Sequence, residues 1–168
     1  MRAAVIPALI LGVSAYAAFA QQQEQIPDSA FGDFSRARIL KINLLSPVAE
    51  AITLAYENVL TPEKSIQLTI SVFSEGLVVT PEYRYYLSET YAPEGVYVAP
   101  YLRYYQFENE GILGGGLVIG RQGFYKKKIT IDGFIGPSIN SVNPFEESGV
   151  FFGVRAGITI GINFKRKK

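Results

Sequence analysis

From residue 38 onward, apolar and polar side chains take turns along the chain. The longest such run closes it, at residues 149–164. Phe152, Val154, Ala156, Ile158, Ile160, Ile162 and Phe164 form one set; Gly153, Arg155, Gly157, Thr159, Gly161 and Asn163 form the other. A period of two predicts a strand, because successive Cβ atoms point to opposite faces of a sheet. Thirteen alternating residues exceed the usual strand of about 5–6. At ~3.3 Å per residue, such a strand crosses a bilayer at a tilt. The apolar set is unbroken. The other set is mostly glycine with one charge, whereas the wet face of a soluble strand normally carries Lys, Glu and Thr.

Seven earlier segments repeat the pattern: 39–45, 51–58, 65–73, 77–87, 96–107, 112–122 and 128–137. Residues 46–47, 61–64, 74–76, 88–95, 108–111 and 123–127 carry Pro, Gly, Asn and charges and read as turns. The longest loop is expected at 138–148. Eight alternating strands with short connections predict an all-β fold, an eight-stranded antiparallel up-and-down barrel. Pro81 and Pro100 fall inside strands. Lacking an N–H, they are expected at bulges or at the sheet rim. Past residue 38 no stretch has helical period, and no run of 18 apolar residues offers a membrane helix.

Residues 1–20 read as a secretory signal peptide, with Arg2 as the positive end, an apolar stretch over 3–11, and Ala18-Phe19-Ala20 as the cleavage site. Residues 21–37 are polar and form a periplasmic lead-in, residues 38–164 the barrel, and residues 165–168 a basic periplasmic tail. The chain is one domain of 168 residues. Its low charged content, 18%, beside eleven Tyr and sixteen Gly suits an all-β chain. A net charge of +1 argues against nucleic-acid binding. There is no Cys and no His. That removes disulfides, thiolate metal sites, the commonest general base and the commonest metal ligand.

Alternation fixes a barrel but not which face is wet. The polar face decides. Its charges are Lys41, Glu57, Glu82, Arg84, Arg103, Lys128, Asp132 and Arg155. About one per strand, mixed in sign, is too few for a water-facing exterior and suits a lumen where opposite charges pair. The fold expected is therefore a transmembrane β-barrel with its apolar stripe turned to lipid. A soluble, lipocalin-like barrel with an apolar ligand inside is the reverse arrangement.

The runs 41–60 (KINLLSPVAEAITLAYENVL), 78–87 (VVTPEYRYYL), 96–105 (VYVAPYLRYY) and the last strand resemble a family of small bacterial outer-membrane β-barrels of uncharacterised function. Tyr56-Glu57 matches the dipeptide that ends that family's second strand. Pro81 to Tyr86 matches its "PExRYY" run. The terminal aromatic, Phe164, resembles the signal read by the outer-membrane assembly machinery, although Lys165-Arg166-Lys167-Lys168 follows it. The resemblance covers about 38–164. It implies a fold and a location, the bacterial outer membrane reached by a cleaved signal peptide, with lipid, lipopolysaccharide and the assembly machinery as partners. It implies no activity.

The candidate chemistry is a lumen charge network of Lys41, Glu57, Glu82, Arg84, Arg103, Asp132 and Arg155. Glu82 and Arg84 share a face of one strand, and Glu57 and Arg103 are expected on neighbouring strands. An eight-stranded barrel is narrow enough to be filled by side chains, and buried charges must pair. The expected role is structural plugging. A narrow channel or small-ligand site is the alternative. Barrel enzymes of acyl transfer use His with Ser or acidic partners, which this chain lacks, so no catalysis and no cofactor or metal are expected. Gly114-Gly115-Gly116 has no following Lys-Ser/Thr and reads as a tightly packed strand, not a phosphate loop. Lysines 126–128 and the tail read as solvated anchors. The outer loops would hold Glu50, Glu75, Glu108, Glu110, Glu146 and Glu147, where divalent cations could bridge them to lipopolysaccharide.

Overall fold

Each strand inherits the parity of its sequence, and eight of them close on themselves. The computed structural model describes residues 37–87, 92–107, 110–126, 128–142 and 149–165. Its strands are β1 (Ala37–Asn43), β2 (Ile52–Thr61), β3 (Lys64–Phe73), β4 (Gly76–Tyr86), β5 (Gly95–Phe107), β6 (Glu110–Tyr125), β7 (Ile129–Val142) and β8 (Val150–Lys165). Every strand pairs antiparallel with the next, and β8 pairs with β1. This is a closed, up-and-down, eight-stranded barrel. The expected signal peptide and the lead-in up to residue 36 lie outside the described residues, as do residues 166–168.

Several boundaries differ from those the turn residues suggest. β1 starts at Ala37, inside the expected lead-in, because Ala37 pairs with Lys165. β6 runs on to Tyr125, since Gly123 and Phe124 find partners in Ile131 and Thr130. β7 continues through Pro137 to Val142, with Ser138 and Asn140 buried and Ile139 exposed. The expected long loop therefore loses residues 138–142 to β7. Lys128 falls outside β7 and is exposed, so it leaves the lumen set.

The prolines sit neither at bulges nor at the rim. On β4–β5 the pairs Val79↔Tyr104, Glu82↔Tyr101 and Tyr85↔Val98 keep one register. The ladder simply lapses between them, opposite Pro81 and Pro100. It lapses again on β6–β7 around Pro137. A missing N–H removes a ladder bond without shifting the register.

One end of the barrel carries Ala37, Lys165 and the hairpins β2–β3, β4–β5 and β6–β7. The β4–β5 connection folds inward there. Ala92 and Pro93 are fully buried, the Ala92 N–H donates to Pro62 O, and Gln122 Nε2 donates to Pro93 O at 2.7 Å. The other end carries a 3-10 helix, Ser46–Ala49, and the tight β3–β4 hairpin.

The walls sort cleanly. Outward positions are apolar and exposed on every strand, such as Leu40, Leu54, Leu68, Tyr83, Leu102, Leu117, Ile135 and Ile162. Inward positions are mostly polar, charged, aromatic or small, with a few aliphatic side chains such as Ile39, Val78 and Val118 among them. The glycines explain how the interior fits. A Cβ on Gly120 would meet the Tyr97 ring at 2.5 Å, one on Gly157 the Phe134 ring, and one on Gly161 the Lys41 side chain. Small positions on one strand seat large side chains from its neighbours.

Candidate functional site

Six of the seven singled-out charges meet inside the barrel. Lys41 on β1 points inward and its Nζ lies 2.6 Å from Glu57 Oε2 and 3.1 Å from Asp132 Oδ2. Arg84 Nη1 lies 2.8 Å from Asp132 Oδ2 and 3.7 Å from Glu57 Oε2. Arg84 Nε donates to Glu82 Oε1 at 2.6 Å. Arg155 Nη1 donates to Glu82 Oε2 at 2.6 Å. Three cations thus meet three carboxylates across β1, β2, β4, β7 and β8. All six are buried. Charges so placed compensate one another, since each alone would carry a large desolvation cost.

Uncharged side chains complete the shell, through contacts that sequence reasoning missed. Tyr86 OH donates to Glu57 Oε1 at 2.7 Å, and Ser65 Oγ donates to the same oxygen. Tyr97 OH donates to Asp132 Oδ1 at 2.8 Å, and its ring lies 4.3 Å under the Arg84 guanidinium. Gln122 donates to Glu57 Oε2 at 3.1 Å and accepts from Lys41 and from Arg84. Their inward parity was legible. Their partners were not, because alternation fixes a face and not a height along the barrel axis.

Arg103 stands apart. Contrary to the expectation from the sequence, Glu57 and Arg103 are not on neighbouring strands, since β2 pairs with β1 and β3 while β5 pairs with β4 and β6, and Glu57 pairs instead with Lys41 and Arg84. Glu82 stands opposite Tyr101 in register and pairs with Arg84 and Arg155. Arg103 instead donates to Tyr105 OH at 2.6 Å, with its guanidinium 5.4 Å from each of the Tyr101 and Tyr105 rings. Its Nε has no partner.

The ionic cluster lies toward the end that bears the termini. Toward the other end the lumen opens into a cavity of about 240 Å³ lined by Thr53, Thr69, Thr80, Arg103, Tyr105, Phe134, Arg155 and Thr159, among others. A larger depression of about 770 Å³ lies on the wall at the β4–β5 seam, beside Pro81 and Pro100. Outside the strands, burial pushes the Glu94 carboxyl above its usual range, against the opposing pull of a hydrogen bond with the Phe124 backbone and of the Arg121 guanidinium. Among the described residues no group of three or more acidic side chains is arranged to hold a metal ion. Of the acidic loop residues, Glu50 and Glu75 are exposed; Glu108, Glu146 and Glu147 lie outside the described residues.

No family model matches the sequence, and no curated protein matches it. Among solved structures, the chain is similar to the N-terminal β-barrel domain of Pseudomonas aeruginosa OprF. The sequences are 14% identical, the match covers 77% of this chain and 98% of that one, and the TM-score is 0.48.

Proposed function

We propose that this protein is a small bacterial outer-membrane β-barrel with a plugged polar lumen, serving a structural or interaction role without catalysis. The inversion of its faces carries the reading. A barrel in water buries its apolar stripe; here Leu40, Ile70, Leu102 and Ile162 are exposed while Lys41, Glu57, Arg84 and Asp132 are buried. Lipid is the solvent that suits such a wall. Lengths agree, since a strand of about 9–11 residues spans a bilayer at a tilt and β2 to β8 have 10 to 16. Tyr56, Tyr83, Tyr85 and Phe164 face outward near the end with the termini, where an interfacial aromatic girdle belongs.

Plugging is supported by the balanced ion network and by Ala92 and Pro93 folded into the same end. Lack of catalysis is supported by the absence of His and by carboxylates already engaged by cations. The reading includes export by the signal peptide at 1–20 and surroundings of outer-membrane lipid and lipopolysaccharide. It also includes insertion by the barrel-assembly machinery, which would receive β8.

The test is fractionation of expressing cells, with gel migration of unheated and boiled samples, followed by planar-bilayer recording. Outer-membrane recovery, heat-modifiable migration and a silent bilayer are expected. Recovery as a soluble periplasmic protein would overturn the membrane reading. A stable, reproducible open level would overturn the plug and put a narrow channel in its place.

A further inference from the structure

Inside the barrel the charges nearly cancel, and the remainder is informative. Lys41, Arg84 and Arg155 are matched one for one by Glu57, Glu82 and Asp132. Arg103 is a fourth inward cation, and no carboxylate lies within ion-pair distance of it among the described residues. It lines the cavity of about 240 Å³ at the end away from the termini. Only its Nη1 is engaged, by Tyr105 OH. Nε, on the edge of the fork that grips a carboxylate side-on, has no partner.

The walls around it are built for a polar guest. Thr159 is 4% exposed and lines the same cavity, and its Oγ1 has no hydrogen-bond partner. Thr53, Thr69 and Thr80 add hydroxyls. The Tyr101 and Tyr105 rings flank the Arg103 guanidinium, each 5.4 Å away. An unmatched half-buried cation in a cavity that also holds the unpartnered Thr159 hydroxyl is costly. An oxyanion satisfies both at once. Glu50 and Glu75 at the same end are exposed, so solvent and salt screen their repulsion at distances beyond about 10 Å.

We propose that this vestibule is a binding site for a small carboxylate anion, with Arg103 as its anchor and Thr159 as a second donor. The cavity is smaller than the roughly 300–1,000 Å³ of sites for drug-sized ligands, which restricts the guest to a few heavy atoms beyond the carboxylate. The ion network below makes the site a blind pocket rather than a transit route. The inference does not rest on the membrane reading, because the pocket lies within the barrel whatever surrounds it.

The test is a titration of the purified, isotope-labelled protein, folded in uncharged detergent micelles, followed by the backbone amide resonance of Thr159, which lines the cavity and is intact in every variant. Sodium acetate, sodium phosphate and sodium chloride are compared at matched ionic strength. A saturable movement of the Thr159 amide signal with acetate is expected. It should vanish in Arg103→Gln, persist roughly tenfold weaker in Arg103→Lys, which keeps the charge but loses the fork, and stay unchanged in Arg38→Gln at the opposite end. If Arg103→Gln does not fold, Arg103→Lys decides the matter. Linear, unsaturable movement, or the same response to chloride, would mean general screening and overturn the site. Saturation by phosphate at lower concentration than acetate would overturn the carboxylate assignment.

Discussion

Glu82 holds two arginines at once, and this double use governs how its neighbours respond to mutation. Arg84 keeps Asp132 when Glu82 is removed, but Arg155 has Glu82 as its single carboxylate partner among the described residues. Breaking such a buried pair from one side leaves an uncompensated charge, typically a loss of about 3–5 kcal/mol. The expected outcome for Glu82→Gln and for Arg155→Met is a loss in that range each. The double variant should cost less than the sum by roughly 1–3 kcal/mol. Urea unfolding in lipid vesicles measures all four corners of the cycle. Additive or negligible losses would mean solvated, uncoupled side chains. At this scale the sequence announced seven of the eight polar-face charges, since strand parity put them inside; Lys128 falls beyond the end of β7 and is exposed. The sequence could not announce Gln122, Tyr97 or Ser65, whose uncharged side chains carry no mark that separates a ligand of the network from ordinary filling.

The strands differ in how firmly they hold their neighbours. Between β7 and β8 the ladder runs unbroken from Ile129↔Ile162 to Ser141↔Val150. Between β4 and β5 two prolines face the same seam, and pairing is confined to Gly76–Val79, Glu82 and Tyr85–Tyr86 on the β4 side. Fewer ladder bonds mean easier local opening. Amide exchange should therefore be faster in the middle of β4 and β5, at residues such as Tyr83 and Leu102, than at Ile131 or Ile160 on β7 and β8. Exchange read residue by residue in micelles checks this. Uniform protection around the barrel would show that the prolines cost the wall nothing. A second irregularity lies at β8. β1 reaches only Asn43, opposite Thr159, so β8 before Ile158 has no ladder partner on that side. Phe152 and Val154 are accordingly the most exposed large apolar residues of β8 among those described, at 80% and 74%. Neither feature was legible in the chain. Alternation marks which way a residue points, while the length of pairing depends on the partner strand. The proline positions were visible, but their consequence depended on which neighbour each missing N–H would have faced.

For the whole molecule, strand number and closure followed from alternation and turn chemistry, and the orientation followed from how few charges the polar face carries. Those properties survive errors of several residues at strand ends, since shifting a boundary changes neither parity nor count. The wall's orientation can be tested with two adjacent residues of β8. Ile160 faces outward, and Thr159 is buried against the vestibule. If lipid surrounds the barrel, Ile160→Arg places a charge on the lipid face and should cost roughly 2–4 kcal/mol near mid-membrane. Thr159→Leu adds bulk to a cavity that has room for it and should cost less, within about 1–3 kcal/mol. The measurement is the urea midpoint of each variant folded into vesicles, together with its partition between vesicles and buffer. Suppose Ile160→Arg folded and partitioned like the parent while Thr159→Leu did not. The faces would then be reversed, the interior would be the apolar side, and a water-soluble barrel around an apolar ligand would replace the membrane protein proposed here.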